Sequence, residues 1–152
     1  MHIVLVEPQI PGNTGNIARL CAANGCELHL VRPLGFSTDD KLVKRAGLDY
    51  WYLVKIHYHD SIDEVLAKYP DSGIHLLTTK ATKQHTAASY QKDDLLIFGK
   101  ETAGLPMTLL QKYPDRCIKI PMVSDARSLN LANAVAIVSY EALRQTDYEG
   151  IK

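Results

Sequence analysis

Apolar residues fall in short dense runs separated by stretches of helical period, and that alternation predicts the architecture. Residues 3–6, Ile-Val-Leu-Val, read as a fully buried first strand that ends at Glu7-Pro8. A loop through Gly12 leads to a helix over residues 14–23, with Thr14 as candidate cap and Asn24-Gly25 as the left-handed stop. Residues 28–31 predict a second strand, and Ser37 or Thr38 opens a short basic helix over 39–46 that Gly47 ends. A third strand is expected over 51–56, a capping box at Ser61-Ile62-Asp63-Glu64 opens a helix reaching Tyr69, and 74–78 is a fourth strand. The most apolar run, 95–98, is followed by a loop over 99–106, a helix through Tyr113, a last strand over 117–120 and a long helix over 130–144. Short apolar strands alternating with helices predict an α/β fold built on a parallel sheet covered on both faces.

The last helix carries Leu131, Ala132, Ala134, Val135, Ala136, Ile137, Val138, Ala142 and Leu143, apolar residues around nearly its whole circumference. A helix apolar all round is buried all round. Either it lies in a groove of its own chain or a second copy covers its outer face, and the second arrangement, a two-fold homodimer, is the expectation.

Length and composition narrow the classes further. A chain of 152 residues fits one domain, 1–152, and 46% hydrophobic with 22% charged residues disfavours disorder, collagen and coiled coil. Lys plus Arg number 17 and Asp plus Glu 17, so a polyanionic partner has to be held by a local patch. Cys21, Cys26 and Cys117 include no C-x-x-C pair and read as reduced core thiols. No secretory leader pattern and no apolar stretch of the ~18 residues needed to cross a bilayer is seen, so a cytoplasmic protein without a membrane partner is expected.

In an open parallel sheet the ligand site lies beyond the carboxyl ends of the strands. Four loops qualify: residues 7–15, 78–89, 99–106 and 121–130. Gly99 and Gly104 permit close backbone approach, and Glu101 between them either accepts hydrogen bonds from a ligand or sits in a plain glycine-rich turn. Ser128, Asn130 and Asn133 are ligand contacts or caps for the last helix. The stretch 73–92 has no acidic residue and carries Lys80, Lys83, Lys92, His75 and His85; Lys41, Lys44 and Arg45 form a second basic patch. His57 and His59 share one face of an extended segment, but two histidines without a third ligand make a poor site, so no metal is expected.

Four stretches acquire meaning together: residues 7–20 (EPQIPGNTGNIARL), Gly35-Phe36 with residues 46–50 (AGLDY), residues 98–106 (FGKETAGLP), and residues 118–122 (IKIPM) with 127–135 (RSLNLANAV). In this order they resemble the SPOUT-class RNA 2'-O-methyltransferases, specifically the small members that methylate the wobble nucleotide of tRNA. The resemblance spans essentially the whole chain. It implies a C-terminal deep trefoil knot (SPOUT fold), S-adenosylmethionine as cofactor, a tRNA anticodon stem-loop as substrate, and a homodimer whose active site uses both subunits. It also implies cofactor contacts at Leu77, Gly99, Gly104, Ile120 and Ser128 and a catalytic Arg19. Asn16, Glu101, Asn130 and Asn133 would support the site, and Tyr140 falls where relatives carry a tyrosine near the substrate. Substrate contacts are expected at Lys44, Arg45 and Lys80, with Lys41 and Lys83 beside them. Relatives often read Gly-Pro-Glu-Thr-Arg-Gly in the second motif, where this chain has Lys100 for the proline and Ala103 for the arginine. Two other classes fit parts of the pattern. One is a non-catalytic RNA-binding dimer; the other is a flavodoxin-like nucleotide-binding enzyme, for which neither phosphate-loop fingerprint is present after the first strand.

Overall fold

A computed structural model describes residues 1–39, 41–47 and 50–152, leaving Asp40, Leu48 and Asp49 outside. The β-branched first run forms β1 (His2–Val6), in which Ile3, Val4 and Leu5 are all wholly buried. It pairs in parallel with β2 (Glu27–Val31) on one side and β5 (Leu95–Phe98) on the other, with Ile3 opposite both Leu28 and Leu96. β3 (Ile56–His59), β4 (Ile74–Leu77) and β6 (Cys117–Ile118) complete a six-stranded parallel sheet of order β3-β2-β1-β5-β4-β6. The chain builds outward from β1 to β3, then crosses to the other half, so the order reverses beside β1 and β5. A ligand crevice belongs there.

Alternation along each strand sorts the core into two layers. Ile3, Leu5, Leu28, Leu30, Leu96 and Phe98 face α1 (Pro11–Asn24) and α5 (Leu131–Gln145), where Ile17, Val135 and Val138 meet them. Val4, Val6, Val31, Leu76, Leu95 and Ile97 face the other side, under Val65 of α3 (Ile62–Lys68) and Leu109 and Leu110 of α4 (Met107–Lys112). Between β2 and β3, α2 (Lys41–Gly47) packs beside α1.

Three elements differ from expectation. Thr14 does not cap the first helix: Pro11 occupies its first turn, the residue at the N-cap position is Ile10, whose side chain makes no capping bond, and Thr14 is wholly buried one turn inside. Proline fits there because its fixed φ and missing N–H suit a first helical turn. The strand expected at 51–56 lies further on, since Trp51–Leu53 is a single 3-10 turn with Tyr52 79% exposed. The short basic helix begins at Lys41, with the Ser37 hydroxyl accepting from the Asp39 N–H just before it. The remaining caps match: Ser61 accepts from the Glu64 N–H at 3.3 Å, and Gly25 closes α1 at φ 74°.

Candidate active site

The carboxyl ends of β4, β5 and β6 open onto a cavity of about 630 Å³. Its floor is the 99–105 loop, whose backbone folds back on itself: the Gly104 N–H donates to the Lys100 carbonyl at 2.9 Å, with Gly104 at φ +69°. Gly99 stands so close to Gly104 and Leu105 that a Cβ would collide with their backbone atoms. Gly99 is therefore required by the loop's own packing and Gly104 by its left-handed backbone.

Glu101 at the tip of this loop caps a helix far away in sequence. Its Oε2 accepts from the Gln9 N–H (2.8 Å) and its Oε1 from the Ile10 N–H (3.0 Å) and Asn13 Nδ2 (3.3 Å). A carboxylate at the positive end of α1 satisfies donors that no local side chain meets. The network continues, because Asn130 Nδ2 donates to Asn13 Oδ1 at 2.9 Å. Asn130 Oδ1 in turn accepts from the Ala132 N–H at 2.9 Å and the Asn133 N–H at 3.3 Å, capping α5. One chain of polar contacts thus fixes two helix N-termini and the cavity loop relative to one another. Thr102 adds a hydroxyl donated to Gln9 Oε1 at 2.6 Å. Lys100 is occupied within the chain, its ammonium 3.1 Å from Glu7 Oε2.

Leu77, Gly99, Gly104, Ile120 and Ser128, the expected cofactor positions, all line this cavity, with Glu101, Asn130 and Lys80. Phe98 and Leu105 extend its apolar wall, while Arg127 and Asn130 add polar groups to Ser128. Asn13, Ile10 and Arg127 were not singled out from sequence, although each lies inside one of the four motif stretches. Their signal was position in the motif, without a residue-specific role.

Arg19, Asn16, Asn133 and Tyr140 stand apart from the cavity lining. Arg19 lies six residues beyond Asn13, about 9 Å further along the helix. Its guanidinium stacks over Tyr50, 4.9 Å from the ring centroid. Asn16 is exposed one turn before it, and on α5 Asn133, Ile137 and Tyr140 form an exposed stripe. Lys44 and Arg45 are exposed on α2, with Lys44 Nζ 3.8 Å from Asp39.

The basic stretch 73–92 is smaller as a surface than its composition implied. His85 is buried, as is His75, whose Nε2 lies 2.8 Å from Asp94 Oδ2, and Lys92 is paired with Glu149 at 2.6 Å. Lys80 and Lys83 remain as its exposed cations. Burial would push the Asp94 carboxyl up, but hydrogen bonds from His75 and from the Gln91 and Gly73 N–H groups outweigh it and hold the carboxyl below its ordinary range. The three cysteines are free, and burial raises each thiol, Cys26 to about 11. Neutral thiols of this kind are poor nucleophiles.

A parallel sheet reversing beside a cavity floored by a self-packed glycine loop is the arrangement of a nucleotide-type ligand site. The chain belongs to the SpoU rRNA Methylase family, whose profile matches residues 1–140. Within it, the chain is 53% identical over 156 residues to the tRNA (cytidine(34)-2'-O)-methyltransferase of Yersinia pestis, an alignment covering 99% of this chain and 96% of that one. A solved structure described as "Structural insights into the 2-OH methylation of C/U34 on tRNA" superposes with a TM-score of 0.91 at 43% identity, covering 96% of this chain and 95% of the other. The SpoU methyltransferase AviRb from Streptomyces viridochromogenes, in complex with AdoMet, superposes with a TM-score of 0.83 at 26% identity, over 100% of this chain and 59% of its own.

Proposed function

We infer that this chain is a tRNA 2'-O-methyltransferase that moves a methyl group from S-adenosylmethionine to the ribose 2'-oxygen of the wobble nucleotide, cytidine or uridine, at position 34. The observation that carries the reading is end-to-end identity with enzymes named for that reaction, joined to a cavity formed by the motif residues themselves. Neither alternative is favoured, since a non-catalytic RNA binder needs no such cavity and the first loop is bound to Glu101 rather than arranged around a phosphate.

The cavity suits the cofactor. About 630 Å³ falls within the ~300–1,000 Å³ of small-molecule sites. Leu77 and Ile120 offer apolar walls for an adenine, and Ser128, Asn130, Arg127 and Lys80 offer donors for hydroxyls and a carboxylate. When bound, S-adenosylmethionine supplies an electrophilic methyl on a sulfonium, and no metal is needed for its transfer. The transfer would join the 2'-oxygen to that methyl carbon, leave the carbon–sulfur electron pair on sulfur and release the hydroxyl proton to solvent water. Arg19 is the residue for the oxygen. A guanidinium stays charged at any working pH, so its role is to stabilise the developing alkoxide.

Arg19 and the cavity belong to different faces of one chain, which is the argument for a homodimer in which Arg19 serves the partner's cavity. The exposed stripe of Ile137 (40%) and Tyr140 (41%), with Val123 (77%) and Leu129 (38%) on the adjoining loop, supplies the apolar surface such a contact would cover. We place Asn16, Asn133 and Tyr140 at this shared site.

We further propose that residues 1–152 are one domain whose C-terminal segment forms the deep trefoil knot. Supporting this, the backbone at Lys119 is held on both sides by the 83–85 strap: its N–H donates to the Lys83 carbonyl at 2.9 Å and its carbonyl accepts from the His85 N–H at 2.8 Å. The end of α5 lies against the segment that follows the strap, with Gln145 Nε2 donating to the Ala88 carbonyl at 3.0 Å. The anticodon stem-loop would meet Lys41, Lys44 and Arg45 on α2, which packs beside the helix carrying Arg19, and Lys80 at the cavity with the exposed Lys83 nearby in sequence. Among the described residues no helix is long and apolar enough to cross a membrane, and a tRNA substrate argues for the cytoplasm.

The test is transfer of labelled methyl from S-adenosylmethionine to bulk unmodified tRNA, followed by nuclease mapping, with wild type against Arg19→Ala. Label at the wobble 2'-oxygen, lost in the variant, is expected. Transfer to another nucleotide, or undiminished transfer by the variant, overturns the assignment.

A further inference from the structure

A second group of chemistry-bearing side chains lies at the far side of the sheet, away from the cavity. Alternate residues of a strand share a face, so His2 on β1, Glu27 and His29 on β2, and His57 and His59 on β3 all project to one side. The register sets His2 opposite Glu27 and His29 opposite His57. His2 and His29 are buried, at 8% and 0% exposure, and Tyr69 closes over both rings, with centroids at 4.4 Å and 5.4 Å.

His2 Nδ1 lies 3.0 Å from His29 Nε2 and 3.9 Å from Glu27 Oε2, and these three donor atoms all fall within 4.8 Å of one another. We propose that His2, Glu27 and His29 form a site for a borderline divalent transition ion, zinc above others, which clamps β1 to β2. The proposal goes beyond the methyl-transfer reading and does not depend on it. Sequence offered only His57 and His59; pairing of the strands adds three further donors to that pair.

Tetrahedral zinc, with bonds of about 2.0–2.1 Å to nitrogen and oxygen, sets its ligand atoms roughly 3.3 Å apart. The observed 3.0 and 3.9 Å bracket that spacing. Outer partners are in place as well. His29 Nδ1 is 2.9 Å from His59 Nε2, which leaves Nε2 free to face an ion when Nδ1 holds the proton. Glu27 is oriented by His57 Nε2 at 2.8 Å and Lys55 Nζ at 3.4 Å. A chain of neutral imidazoles accounts for the nitrogen contacts, whereas Glu27 Oε2, at 3.9 Å from His2 Nδ1, is beyond hydrogen-bond reach of it and faces the same space that an ion would fill. Two nitrogens and one oxygen suit zinc and its neighbours in the transition series rather than magnesium or calcium, which take oxygen ligands. His2 and Glu27 open their strands, at the amino ends of the sheet, so the ion's role there is structural.

The experiment uses the tag-free full-length chain, stripped with a chelator and titrated with zinc against a chromogenic competitor. Thermal unfolding is followed with zinc, with magnesium and without metal. One zinc per chain and a rise in Tm with zinc only are expected. Glu27→Gln, at a half-exposed position outside the catalytic machinery, should weaken zinc by at least the ~10–100-fold typical of a lost outer partner, while methyl transfer without zinc is unchanged. Because His29→Gln risks unfolding, His57→Gln serves as the second variant and should weaken binding less than Glu27→Gln. No zinc bound by wild type, an equal Tm rise with magnesium, or undiminished binding by Glu27→Gln overturns the proposal.

Discussion

Glu101→Ala separates a structural carboxylate from a chemical one. The substitution leaves the Gln9 and Ile10 N–H groups and Asn13 Nδ2, now at 2.8, 3.0 and 3.3 Å from the carboxylate, without their acceptor. Loss of a helix cap costs about 0.5–2 kcal/mol. Removal of a negative charge from a helix N-terminus costs a further ~0.3–1 kcal/mol. Glu101 is half-buried, so water replaces part of what is lost, and a total of about 2 kcal/mol follows. For a chain of this size that lowers Tm by about 4–8 °C. Glu101→Gln retains one acceptor oxygen but turns an amide N–H₂ toward a donor, and should lie between the two. Affinity for S-adenosylmethionine, measured by calorimetry, should fall as well, because the untethered loop is the cavity floor. An alanine variant with wild-type Tm and wild-type cofactor affinity would refute the capping role. A loss confined to kcat would instead put Glu101 at the reacting groups.

Gly99→Ala forces a Cβ into the backbone of Gly104 and Leu105. We expect cofactor binding to be lost with native far-UV circular dichroism; retained binding shows that the loop can move aside. Lys44→Ala with Arg45→Ala should weaken tRNA binding and reduce the slope of log K against log salt by about 0.7–0.9 for each phosphate contact removed, with cofactor affinity unchanged. An unaltered slope removes α2 from the RNA surface. Asp94 is held below its ordinary 3.8, so its stabilisation is complete above that value and is lost as pH falls through the lowered folded one. Asp94→Asn should therefore destabilise at pH 7, and by progressively less as pH falls below 3.8 in denaturant titrations, and a constant difference would contradict the ionised, hydrogen-bonded carboxylate.

What was legible in the sequence was whatever a residue settles with its near neighbours. Runs such as Ile3-Val4-Leu5 and Leu95-Leu96-Ile97 announce central strands because both faces of a covered parallel sheet are apolar, and these residues are indeed wholly buried. Trp51–Leu53 looks equally apolar yet sits in an exposed turn, while the edge strand is the polar-looking Ile56–His59. That segment is a strand because His29 and Glu27 on β2 receive its histidines, a fact fixed by strand order alone. The cap of α1 was hidden for the same reason, since Thr14 was the local candidate and the donors are met by Glu101, 91 residues beyond Ile10. The ordered motifs nevertheless brought Gly99, Gly104, Ile120 and Ser128 to one cavity, joined there by Leu77 at the end of β4. They could do so because family motifs record the outcome of long-range packing that propensities do not. Glu101 joins these two kinds of information: the loop that floors the cavity also caps the first helix, so an intact cavity and a correctly started α1 depend on the same hydrogen bonds. On the proposed function, motif residues here are constrained twice, by ligand and by fold, and variants at this loop should change stability and cofactor affinity together, whereas variants at Arg19, exposed on the outer face of α1, should change catalysis alone.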